Sequence, residues 1–106
     1  MKLMTKELLD AFKKQGYTDG KPKDQVKVIA KYFNPVGRGT WYAVEFNEED
    51  RCFFGYCTGL DYDELGYFSL DEFESLRLPM GLGIERDLHF GMEHTLKEIM
   101  DKSDNY

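Results

Sequence analysis

Three β-prone stretches, residues 26–33, 40–46 and 52–57, follow one another with only short turn-forming segments between them. The first break is Asn34-Pro35-Val36-Gly37-Arg38-Gly39 and the second is Asn47-Glu48-Glu49-Asp50. Connections this short allow antiparallel neighbours and exclude the long crossover that a parallel pair needs. The spacing therefore predicts a three-stranded meander, extended by a short fourth strand at Gly66-Tyr67-Phe68. Its apolar pattern is unusual. Residues 26–33 carry Ile29 and Phe33 on the face opposite Val26, Val28, Ala30 and Tyr32, and residues 52–57 are aromatic on both faces. Gly55, inside the third strand, signals a bulge or a close approach of backbones.

Helix signals sit at both ends. Thr5 is a suitable N-cap, Glu7 suits the positive first turn, and Leu8, Leu9 and Phe12 form a stripe at helical spacing. Lys13 and Lys14 suit the negative end, and Gly16 supplies the stop. Residues 21–24 read as loop. Ser69-Leu70-Asp71-Glu72 matches a capping box and opens a helix over 70–76 that buries Leu70, Phe73 and Leu76. Pro79, Gly81 and Gly83 break the chain that follows, and residues 85–90 read as a short extended segment. A second box, Thr95-Leu96-Lys97-Glu98, opens a C-terminal helix that buries Leu96, Ile99 and Met100, with fraying expected from Lys102 to Tyr106. At 106 residues, 42% hydrophobic and 15% aromatic, the chain suits one domain spanning 1–106. The expected fold is α+β: an antiparallel sheet of about four strands, packed on one face by helices from both ends.

Charge is unevenly distributed. Residues 1–40 hold nine lysines and arginines against four acids, and residues 41–106 hold five against sixteen, for a net charge of −6. An acidic chain argues against general nucleic-acid binding, whose affinity comes from cations that neutralise phosphates. Lys21, Lys23, Lys27 and Lys31 read as a solvated strand edge, with a phosphate track as the alternative. The acids Glu45, Glu48, Glu49, Asp50, Asp61, Asp63 and Glu64 form a candidate face for a cationic partner. No apolar run reaches the length of a membrane span, and the N-terminal residues lack the apolar core of a secretory signal, so the cytoplasm is the expected compartment.

Residues with chemical potential are few. Cys52 and Cys57 are an odd number of positions apart, which puts them on opposite faces of a regular strand and makes two neutral thiols the expected state. The zinc pattern of paired cysteines is missing from the sequence, so neither metal nor cofactor is expected. Arg77, Glu85, Arg86, Asp87 and His89 form the densest polar cluster. An acid beside an imidazole suits general acid–base work, and a guanidinium fork suits an anion. The competing reading is a network that pins a glycine-rich loop. His94 reads as an exposed polar residue. Trp41, Tyr42, Phe46, Phe53, Phe54, Tyr56, Tyr62, Tyr67 and Phe68 read as core, with base stacking as the alternative.

Three sets of residues carry a resemblance. Met1 to Leu9, the run Gly66-Tyr67-Phe68-Ser69-Leu70-Asp71-Glu72-Phe73-Glu74-Ser75-Leu76-Arg77, and Gly81-Leu82-Gly83-Ile84-Glu85-Arg86-Asp87-Leu88-His89-Phe90 resemble a bacterial domain-of-unknown-function family, number 2958, as do Trp41-Tyr42 and Phe53-Phe54-Gly55-Tyr56. The resemblance implies a small bacterial protein encoded near plasmid or mobile-element genes, and it carries over no catalytic residues. The expected function is therefore a non-enzymatic accessory or interaction protein of mobile elements, with mimicry of DNA charge as one specific version. A ligand-binding or hydrolytic domain built on Arg77, Arg86, Asp87 and His89 is the second expectation. Single-strand nucleic-acid binding through Lys21 to Lys31 is the third.

Overall fold

Alternating β-branched and aromatic residues between polar turns produce a five-stranded antiparallel sheet. The computed structural model describes residues 1–103. In chain order the elements are α1 (Lys6–Gln15), β1 (Ala30–Phe33), β2 (Thr40–Asn47), β3 (Cys52–Thr58), β4 (Glu64–Ser69), α2 (Leu70–Ser75), β5 (Glu85–Arg86) and α3 (Leu96–Ser103). Short 3-10 turns occupy Lys23–Gln25 and Pro79–Gly81. The strand order is β4-β3-β2-β1-β5, with all pairs antiparallel. The α+β class and the meander of the first four strands stand as expected, and a two-residue β5 closes the far edge.

The caps read from the sequence form as hydrogen bonds. Thr5 Oγ1 accepts from Leu8 N at 3.2 Å, Ser69 Oγ from Glu72 N at 3.1 Å, and Thr95 Oγ1 from Glu98 N at 3.2 Å. Gly16 ends α1 at φ 66°, a left-handed conformation that glycine adopts without strain. α2 stops at Ser75, one residue short of the expected end, and Leu76 is exposed rather than buried. Lys102 and Ser103, expected to fray, belong to α3, and residues 104–106 lie outside the described residues.

The helices divide between the two faces of the sheet. Leu8 and Phe12 of α1 and Leu70 and Phe73 of α2 pack with Tyr32, Ala43 and Phe53. Leu96 and Ile99 of α3 pack with Val26, Val28, Val44 and Tyr56 on the other side. The expectation of one covered face thus holds for α1 and α2 and not for α3. The cause is the doubly apolar strand pattern, since a strand with apolar side chains on both faces must bury both. On the first face Phe53 is fully buried among rings: Phe46 at 4.9 Å, Tyr32 at 5.1 Å, Phe68 at 5.2 Å and Phe12 at 5.9 Å between centroids. Tyr32 is also fully buried, and its hydroxyl donates to Leu3 O at 2.7 Å. Burial keeps that phenol protonated, well above the ordinary tyrosine range.

The register breaks once, between β2 and β3. Ala43 faces Gly55 and Glu45 faces Phe54, so Val44 is the extra residue of a β-bulge. The bulge lies on β2, opposite the glycine that signalled it. At Gly55 the backbones run so close that a Cβ would collide with the Tyr42 carbonyl oxygen. β1 is shorter than expected. Its lead-in, residues 26–28, pairs instead with the approach to α3: Val28 N donates to His94 O at 2.9 Å and Leu96 N to Val26 O at 2.8 Å. Gly55→Ala should destabilise the fold by ~2–3 kcal/mol, because rigid backbone has to move to admit the methyl group. Urea unfolding measures this, and a loss under about 0.5 kcal/mol would contradict the close approach.

Candidate functional site

The bulge decides what the neighbouring side chains do. By inserting Val44 it puts Val44 and Glu45 on the same face and returns Phe46 to the opposite core. A bulge also leaves backbone groups without a ladder partner. The Val44 carbonyl is satisfied by Gln15, whose Nε2 donates to it at 2.7 Å and to Lys27 O at 2.9 Å, while its Oε1 accepts from Lys27 N at 2.8 Å. Glu45 faces the loop after α1. Its Oε2 accepts from Thr18 N at 2.9 Å and from Thr18 Oγ1 at 2.5 Å, and Thr18 is buried. Gln15 and Glu45 together hold the segment from Gly16 to Lys23 against the sheet.

That segment and the sheet enclose a groove of about 1180 Å³. Phe54, Leu65 and Tyr67 line its sheet side, Tyr17 and Lys23 its loop side, and Glu48, Glu49 and Asp50 the end at the β2–β3 turn. Tyr17 is 80% exposed and Tyr67 79%, which is unusual for large rings in a chain this rich in packed aromatics. Charges along the groove differ in availability. Lys13 pairs with Glu48 at 3.2 Å, and Lys21 Nζ donates to Gln15 O at 3.1 Å. Glu49 and Asp50 are exposed and make no ion pair among the described residues. Arg51 turns away from them, with its guanidinium 2.6 Å from Asp71 Oδ1 and 2.6 Å from Glu74 Oε1.

The candidate acidic face divides in two. Glu45, Glu48, Glu49 and Asp50 belong to the β2–β3 end, and Asp61, Asp63 and Glu64 to the β3–β4 end, separated by the length of β3, about 20 Å. Asp63 stabilises its own turn, accepting from Gly59 N at 3.2 Å and from Ser103 Oγ at 2.5 Å.

The polar cluster of residues 77–89 does not converge. Arg77 is exposed and donates to the carbonyls of Glu74 and Leu76. Arg77 and Glu85 border a second hollow of about 650 Å³ that Arg86, Asp87 and His89 do not reach. Arg86 Nε donates to Lys2 O at 3.2 Å. Asp87 accepts from His89 N at 2.9 Å and lies 3.6 Å from Lys31 Nζ, and the His89 ring is exposed. Only Glu85 and Arg86 are extended. The chain turns at Asp87, where Phe90 N donates to Asp87 O at 3.3 Å, and the shared face expected for Glu85, Asp87 and His89 is lost.

Other sequence expectations fall as follows. The four lysines do not make one track: Lys31 lies over the rings of Tyr42 and Phe90 at 5.6 and 5.8 Å, while Lys21 caps the end of α1. His94 is half-buried, not exposed. It stacks on Phe90 at 4.5 Å, and its Nδ1 lies 2.5 Å from Glu98 Oε2. That hydrogen bond holds the Glu98 carboxyl below the usual carboxylate range. Cys52 and Cys57 are free and half-buried on opposite faces of a β3 that carries no extra residue. Burial first, and the acids beside them second, push both thiols upward, so they stay protonated at neutral pH. Of the aromatics assigned to the core, Tyr62 and Tyr67 are exposed. No helix is long and apolar enough to cross a membrane.

Comparison with known proteins adds one finding. The pattern of the family described as "Protein of unknown function (DUF2958)" matches residues 3–105. The chain belongs to this family. No curated protein and no solved structure matches it. The DUF2958 chain thus keeps its site assignment from its own geometry, in which the groove and the two residues that hold its wall are the most organised feature.

Glu45→Ala should release that wall. Two hydrogen bonds to a charged acceptor are lost, for a destabilisation of ~1–3 kcal/mol, and the Thr18 amide should exchange with solvent faster than in the parent. Hydrogen exchange resolved at Thr18 checks this, and unchanged protection would show that the loop is held by something else.

Proposed function

We propose that this protein is a non-enzymatic interaction domain that receives a cationic partner along the groove, in the cytoplasm of bacteria that carry mobile elements. One observation carries the reading: Leu65 and Tyr67 lie open above a half-buried Phe54 and beside Glu49 and Asp50, an apolar floor with unpaired acids at its end. Exposed tyrosines give large contact area at small entropic cost, and acids at a rim steer a basic partner toward them. The division of the acids into two groups about 20 Å apart favours local recognition of basic side chains over mimicry of a continuous line of DNA phosphates. The polar side chains that would have served an enzyme do not meet in one hollow: Arg86 Nε bonds to Lys2 O, Asp87 to His89 N and Lys31, and none of Arg86, Asp87 and His89 borders the hollow beside Arg77.

Titration with a lysine- and arginine-rich peptide, followed by fluorescence anisotropy, tests the reading. Affinity should fall as salt rises, and the double reversal Glu49→Lys with Asp50→Lys should weaken binding roughly tenfold without changing the melting temperature. Binding that ignores both salt and charge reversal, or no binding at all, would overturn it.

A further inference from the structure

The two edges of the sheet are treated differently. An edge strand offers a row of unpaired N–H and C=O groups, and stable proteins blunt it with brevity, lysine, proline or a bulge. The β5 edge is two residues long, and its Arg86 is tied to Lys2 O. The β4 edge has none of these devices. It is six residues long, Glu64-Leu65-Gly66-Tyr67-Phe68-Ser69, with no lysine or proline, and it pairs with β3 in unbroken register from Cys57↔Glu64 to Cys52↔Ser69. Among the described residues no strand pairs with its outer side. A strand of this length turns about three N–H and three C=O groups outward.

The side chains of this edge continue the groove. Leu65 and Tyr67 stand on the groove face, 37% and 79% exposed, and a Cβ at Gly66 would meet nothing. Acids flank the strand. Asp61, Asp63 and Glu64 are exposed at its start, and Glu49 and Asp50 lie across the groove near its end.

We propose that the outer edge of β4 receives an extended, lysine- or arginine-bearing segment of the partner as a sixth antiparallel or parallel strand. The inference rests on the cationic-partner reading above and names how that partner binds. Backbone bonds to β4 hold the segment, alternate apolar side chains lie beside Leu65 and Tyr67, and basic ones meet the flanking acids. Charge selects this occupant over a second copy of the chain, because each copy carries −6 and two β4 edges paired antiparallel would set Asp61, Asp63 and Glu64 of one against the end bearing Glu49 and Asp50 of the other.

Three probe peptides added to the full-length protein test it: one alternating lysine with valine, the same peptide with its central valine replaced by proline, and one alternating glutamate with valine. The lysine–valine peptide should bind and slow exchange of the outward β4 amides by on the order of tenfold, as added ladder bonds require. Proline removes a donor, so that peptide should bind about tenfold more weakly, and the glutamate peptide should not bind. Leu65→Lys with Tyr67→Lys changes only exposed side chains and should weaken the lysine–valine peptide roughly tenfold. Equal binding of both lysine peptides with unaltered β4 exchange would overturn strand addition while leaving the cationic reading in place. No binding of either lysine peptide would overturn both. Protection of β4 that grows with protein concentration alone would make the occupant a second copy and overturn the proposal.

Discussion

The structure depends on one extra residue in β2. Where Ala43 faces Gly55, the two backbones approach closely enough that only glycine fits on β3, and one residue later the ladder resumes with Val44 left over. Without that insertion, the alternation of Tyr42, Ala43, Val44, Glu45 and Phe46 would send Glu45 into the ring cluster around Phe53 and Phe46 out of it. With it, Val44 enters the α3 core, Phe46 joins Phe12 and Phe53, and Glu45 reaches Thr18. The carbonyl freed at the bulge is returned to a hydrogen bond by Gln15 at the end of α1. Core packing on both faces and the wall of the groove therefore follow from the same local irregularity.

Much of this fold is legible in the sequence. Turn residues at 34–39 and 47–50 give the meander, and Thr5, Ser69, Thr95 and Gly16 mark helix ends that form where expected. Local signals of this kind need no tertiary partner. What depends on partners distant in the chain is not legible. Gly55 hints at an irregularity but does not say that the bulge falls on the opposite strand. Apolar residues on both faces of β3 require two covers, yet the spacing within α3 cannot say which face it takes. Gln15 carries no local signal, because its three bonds reach across 12 and 29 positions. Glu45 reads as one more surface acid, although it anchors a buried threonine. Arg86, Asp87 and His89 are close in sequence, but the turn at Asp87 separates them in space.

The same physics separates holding groups from recognising groups. Side chains that bond to nearby backbone fix the chain around them, which describes Arg77, Arg86, Asp87 and Gln15. Side chains left in water with large apolar area, or with charge and no counter-ion, gain most from a partner, which describes Tyr17, Tyr67, Glu49 and Asp50. In this protein the second group borders one groove, between the loop after α1, the β2–β3 turn and β4. That placement supports the proposed docking of a partner there.

The register at the bulge is the most direct point at which to examine this account. Cross-strand proton contacts between β2 and β3, measured by NMR in solution, should pair Ala43 with Gly55, Glu45 with Phe54 and Phe46 with Phe53, and should skip Val44. An unbroken ladder that places Val44 opposite Phe54 would turn Glu45 away from Thr18 and contradict it.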